Sequence, residues 1–93
     1  MFNTDLKTIL IELFQKNNLQ NVNDEIHLNK QQQQQQLTFI NPHKPLDEYI
    51  IRYRKYTNDI EVIVPLTHFQ YKKIFKNNNE ELITYLNLHL LQQ

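Results

Sequence analysis

The chain has no Gly, Ala, Ser, Cys or Trp, and its only two arginines stand at positions 52 and 54. At a usual abundance of about 7%, glycine alone would occupy roughly six positions in a chain of this length. Each absence excludes a chemistry. Without Cys there is no disulfide framework, no thiol nucleophile and no thiolate metal site. Without Ser there is no serine nucleophile. Without Gly neither the phosphate-cradling P-loop nor the dinucleotide fingerprint can be built. Tight turns must also find another residue for positive φ, and Asn and Asp are the next best.

What is present is skewed in the opposite direction. Asn (12) and Gln (11) fill about a quarter of the 93 residues, followed by Leu (13), Ile (10) and Lys (8). Residues with AT-rich codons are over-used, which we read as the imprint of an AT-rich genome. Apolar residues make up 40% of the chain and are mostly bulky, so a small core is within reach. The length suits a single domain, 1–93. Ten basic and ten acidic side chains give a net charge of zero. Nucleic-acid modules usually carry a basic excess, because neutralising phosphates drives their affinity. The whole-chain field therefore argues against DNA or RNA but leaves room for a local patch. Residues 1–14 are apolar, yet Asp5 and Glu12 interrupt them and no basic leader or small-residue cleavage site accompanies them. No run reaches the ~18 apolar residues of a membrane span. The expectation is a cytoplasmic or nuclear protein that does not engage a membrane.

Along the chain, Thr4 is positioned to cap a helix whose stripe is Leu6, Ile9, Leu10, Leu13 and Phe14. Asn17-Asn18 supplies its stop. Residues 19–36 are polar and end in six glutamines, 31–36. This low-complexity polyglutamine run has no apolar face to bury, so a glutamine-rich loop is expected at about 29–36. Loop closure tolerates such expansion. Val22, Ile26 and Leu28 suggest a short strand before it. Residues 37–40 read as a strand stopped by the two-proline segment 41–45. The strongest β signal is 49–56 and 60–64, rich in β-branched and aromatic residues, with Thr57-Asn58-Asp59 as the connecting turn. Residues 67–93 read as helix in two pieces. Phe69, Ile74 and Phe75 mark the first, and Asn79-Glu80-Glu81 starts the second. The order is helix, three to four antiparallel strands, helix: an α+β fold with both terminal helices packed on one sheet face.

Candidate chemistry is sparse. The four histidines, 27, 43, 68 and 89, show no ligand spacing, so no metal, cofactor or catalytic residue is expected. Alternation places Tyr49, Ile51 and Tyr53 on one side of a strand and Ile50, Arg52, Arg54 and Tyr56 on the other. An arginine-and-aromatic face can stack bases and grip phosphates, with Lys72, Lys73 and Lys76 as a second basic cluster. The same pattern equally describes the solvated back of a half-buried sheet, and Glu61 is placed to pair with an arginine across the hairpin. At the C-terminus, Leu82, Ile83, Tyr85, Leu86, Leu90 and Leu91 form a wide apolar face that Leu88 extends. That is more than one small sheet needs, so Leu82, Leu86, Leu88 and Leu91 are candidates for a partner-binding surface.

The helix, three-strand, helix order resembles the small Alu-RNA-binding subunits of the signal recognition particle. The residues that carry the resemblance are Phe2, Leu6, Leu13-Phe14-Gln15-Lys16 and the paired segments 49–54 and 60–64. It implies heterodimerisation and RNA binding through a sheet face. The chain also looks like the RWD-type globular heads of kinetochore subunits, through 37–45, 60–66 and the terminal helix. Both imply small non-enzymatic modules that sit inside complexes. The resulting expectation is a non-catalytic protein–protein interaction module, a small subunit of an intracellular complex or a homo-oligomer. RNA binding through Arg52, Arg54, Tyr56, Lys72, Lys73 and Lys76 is the alternative.

Overall fold

A computed structural model describes residues 2–28, 33–65, 70–76 and 79–91, with residues 27, 28 and 91 described in their backbone only. The first helix, α1 (Thr4–Lys16), starts one residue earlier than expected, because Asn3 rather than Thr4 is the cap. The Asn3 Oδ1 accepts from the backbone N–H of Asp5 (2.8 Å) and of Leu6 (3.4 Å), satisfying orphan donors of the first turn. At the other end Asn18 takes φ 65°. The Leu19 N–H then bonds the Phe14 carbonyl (2.9 Å) and the Asn18 N–H bonds that of Gln15 (3.0 Å). This is a Schellman cap made without glycine. Asn58, with φ 52°, does the same service in the turn after residue 54.

Five strands follow, not three to four: β1 (Gln20–Leu28), β2 (Gln33–Asn41), β3 (Lys44–Arg54), β4 (Asp59–Pro65) and β5 (Gln70–Lys76). They form one antiparallel sheet in chain order, each strand beside the next. The last element is α2 (Asn79–Leu91), entered through Glu80 and Glu81 as expected. Two expectations fail here, for different reasons.

The glutamine loop is the first. Gln33 to Gln36 belong to β2, paired with β1 on one side, and Gln34 to Gln36 also pair with β3 on the other; residues 29–32 lie outside the described residues. Ladder hydrogen bonds need no apolar side chain, and these glutamines find polar partners. Gln35 is buried, accepting the Phe2 N–H at its Oε1 (2.9 Å) and donating from Nε2 to Asp24 Oδ1 (2.8 Å). Asp24 also pairs with Lys7 of α1. The second failure is the helix expected from 67. Its marker Phe69 lies outside the described residues, and Ile74 and Phe75 sit in β5. That strand pairs without interruption along β4, Ile60 opposite Phe75 and Val64 opposite Tyr71. Pairing decides it, since without β5 the hydrophobic β4 would be the edge of the sheet.

Register puts Leu37, Phe39, Tyr49, Ile51, Ile60, Val62, Val64 and Phe75 on one face, and both helices close over it. Phe14 stacks on Phe39 at 4.0 Å and meets Tyr49 edge-on at 5.5 Å. From α2, Tyr85 meets Phe75 at 5.3 Å and His89 meets Tyr49 at 5.7 Å. Leu6, Leu10 and Phe14 of α1 join Leu82, Leu86 and Leu90 of α2 in this cluster. The apolar stripes of both helices are thus spent largely on the core.

Candidate functional site

The sheet face away from the helices carries Gln36, Arg52, Glu61 and Ile74 in one row, and Gln34, Arg54, Asp59 and Lys76 in the next. Arg52 donates from Nε (3.0 Å) and Nη2 (2.8 Å) to Gln36 Oε1, and from Nη1 (2.8 Å) to Glu61 Oε1. Arg54 clasps Asp59 with Nε and Nη2 at 2.8 and 2.9 Å, and its Nη1 lies 3.2 Å from Glu61 Oε2. Asp59 and Glu61 are 3% and 2% exposed. The hydrogen bond from Arg54 holds the Asp59 carboxyl below its ordinary pKa, and the same bond pushes the Arg54 guanidinium up. Both arginine forks are therefore engaged by groups of the chain itself. A planar fork bonded to a carboxylate is not available to clasp a phosphate.

The six basic and aromatic residues singled out for RNA do not converge. Arg52, Arg54, Lys72 and Lys76 share the open face. Lys73 points to the opposite face, its Nζ 5.3 Å from the Phe75 ring centroid and 4.9 Å from that of Tyr85. Tyr56 projects, 84% exposed, from the β3–β4 turn rather than from the open face of a strand. Of the four leucines expected to meet a partner, Leu82 and Leu86 are fully buried. They are core residues, a correction that follows from the unforeseen breadth of the sheet beneath them. Leu88 is 59% exposed, and the side chain of Leu91 lies outside the described residues.

A different surface emerges, shared by β5 and one flank of α2. Tyr71 and Ile74 are each 46% exposed, on opposite faces of β5. Tyr71 lies close enough to Tyr85 for its charge to help push the Tyr85 hydroxyl up, beneath the larger effect of burial. Leu88 is three residues beyond Tyr85 on the same helix, hence its surface neighbour. Tyr71 lies on the sheet face that α2 covers, and Tyr85 and Leu88 lie on one flank of that helix, where Tyr85 meets Phe75 of the same strand. Lys72, Ile74 and Lys76 form a basic–apolar–basic row on the other face of the strand. Reading 67–76 as helix hid Tyr71 and Ile74. The signal that would have found them is the alternation in 70–76, with Tyr71, Lys73 and Phe75 against Lys72, Ile74 and Lys76.

Two other places hold polar groups near apolar space. The first turns of α1 and α2 flank a cleft of about 440 Å³ floored by Leu6, Ile9 and Ile83, with Asp5 and Glu80 at its rim. Both acids sit where a helix N-terminus favours negative charge. On the far side, His89 is half-buried against Tyr49 and Tyr85, and burial alone pulls its pKa down. Burial likewise pushes the Tyr49 hydroxyl up to about 12. His43 stands exposed in the β2–β3 turn, and His68 and the His27 side chain lie outside the described residues. Among the described residues no three His, Asp or Glu side chains come together as a metal site, and no helix is long and apolar enough to cross a membrane. No family model, no curated protein and no solved structure matches this chain.

Proposed function

We propose that the chain is a non-catalytic protein–protein interaction module, a small subunit of an intracellular complex, and that it docks through the β5 edge and the adjoining flank of α2. The observation that carries this reading is the apolar surface left there: Tyr71, Ile74 and Leu88 lie about half exposed around a single edge strand. On the open face of the sheet, Gln36, Arg52, Arg54, Asp59 and Glu61 have found partners within the chain. Engagement of Arg52 and Arg54 by Asp59, Glu61 and Gln36 favours a protein partner over RNA.

The test is affinity purification of the tagged chain from its own cells, in parallel with a Tyr71→Thr/Leu88→Gln variant. The expected result is a stoichiometric partner that the variant loses while keeping its circular dichroism spectrum. A chain that stays monomeric and retains no stoichiometric protein would defeat the reading. Retention of RNA after high-salt washing would replace it with the alternative.

A further inference from the structure

An antiparallel sheet of five strands has two edges, and the edge strands here are built differently. β1 is interrupted by a bulge between Asn21 and Asn23, a device that twists an edge away from further pairing. β5 pairs in unbroken register from Gln70 to Lys76 and, among the described residues, with β4 alone. A regular edge strand presents alternate N–H and C=O groups outward, each a backbone hydrogen bond waiting for a strand. Its side chains are not those of a strand meant only for water. Half-exposed Ile74 sits between Lys72 and Lys76 on one face, and Tyr71 sits on the other, the face that α2 covers through Tyr85.

We infer that the outer edge of β5 is completed by strand addition, the occupant being an extended segment of a protein partner with the pattern acid, any residue, apolar, any residue, acid. This rests on the interaction-module reading and gives it a mode. Side chains on one face of a strand recur every second residue, so the two acids stand opposite Lys72 and Lys76 and the apolar residue opposite Ile74. The intervening residues lie on the face of Tyr71. Lys72 is free enough to take this role: its side chain is 57% exposed, and its link to Glu61 is long, at 3.6 Å. Charge also argues against a second copy as occupant. Pairing β5 with another β5 would crowd the three lysines of each strand onto one seam, and like charges across a sheet repel. Backbone pairing of this kind is a common way of recognising peptides, with main-chain bonds giving affinity and alternate side chains giving choice.

The test is selection of a displayed library of random short peptides against the full chain, followed by binding measurements on the enriched sequences. Enrichment of the acid–x–apolar–x–acid pattern is expected, with protection of the 70–76 amides from hydrogen exchange on binding. Methylating alternate backbone nitrogens of such a peptide should abolish binding on the methylated edge. The variant Lys72→Gln/Lys76→Gln should keep its circular dichroism spectrum and bind the acidic peptides about tenfold more weakly. No enrichment, enrichment without acids, or binding indifferent to backbone methylation would overturn strand addition. So would dimerisation of the chain through 70–76, or a single-stranded oligonucleotide that binds more tightly than any peptide. If those results came while the native partner was still lost with Tyr71→Thr/Leu88→Gln, strand addition alone would fall and the module would stand.

Discussion

The two edges of this sheet solve one problem in opposite ways. At β1 the strand is bulged, its neighbour is the glutamine-bearing β2, and Lys7 of α1 reaches down to Asp24. That edge is broken by the bulge and tied to the helix by one ion pair. At β5 the strand is regular and three lysines guard it; Tyr71 and Ile74 remain half exposed there, as Val22 and Ile26 do on β1. A bulge interrupts an edge whatever strand approaches it, whereas charge discriminates between strands. An edge guarded by lysine repels its own copy and admits an acidic one. On the proposed reading, that contrast puts selective association at β5.

The largest effect should come from beneath the β1 side. Phe14 is fully buried and stacked on Phe39, so Phe14→Ala should cost about 3–5 kcal/mol in urea unfolding. The matching change at the other edge, Phe75→Ala, should cost less, because Lys73 and Tyr85 can close over the gap; an equal cost would erase the distinction. Next is the ion network behind β3 and β4. Glu61→Gln leaves Arg52 and Arg54, both partly exposed, short of a buried carboxylate and should cost roughly 1–3 kcal/mol, read by the same unfolding curve. Its neighbour Asp59 has a lowered pKa. Its stabilisation is therefore present above the ordinary carboxylate value near 3.8 and lost as pH falls through the folded-state value. An acid titration of Asp59→Asn should be correspondingly flatter.

The third test asks whether the glutamines of β2 are structural. Gln35→Ala strips the Phe2 N–H and Asp24 of a partner and should cost about 1–2 kcal/mol, whereas Gln34→Ala should be nearly silent. A loop would show no such difference. Smaller still is the pH response of His89, whose pKa is lowered by burial. The folded state prefers the neutral ring, so stability is complete above the ordinary histidine value of 6.5 and falls as pH drops below it. His89→Phe should remove that slope in thermal melts taken between neutral and mildly acid pH. Smallest is the β5 surface itself. Tyr71→Thr and Leu88→Gln should change stability by no more than about 0.5 kcal/mol, the signature of residues kept for something other than folding.

Much of this arrangement was legible in the residues. The α1 stripe, the hairpin around Asn58, the start of α2 at Asn79 and the pairing of Glu61 with an arginine all follow from local pattern. Helix periodicity, β-branched runs and turn chemistry each act over a few residues. The failures are places where distant partners decide. Ile74 and Phe75 are adjacent, which suits a helix as well as a strand, and only β4 resolves the choice. Gln33 to Gln36 have no intrinsic preference for a strand. They are held there by β3 on one side and β1 on the other, with Gln35 answering Phe2 and Asp24. The same dependence governed the site: Leu82 and Leu86 look like surplus surface until the sheet they cover proves five strands wide.

The sequence by itself determined the chemistry this protein lacks. With no Gly, Ser or Cys it has no phosphate loop and neither of the two commonest nucleophiles, and it makes its positive-φ turns with Asn18 and Asn58. Composition settles such matters because they depend on whether an atom exists at all. Only the tertiary structure decided which apolar residues were left over and which charges were already paired. Burial and pairing are relations between residues far apart in the chain: Arg52 meets Gln36 and Glu61, Phe14 meets Phe39, and β5 pairs with no strand but β4 among the described residues. The candidate surface is what remains after those relations are satisfied.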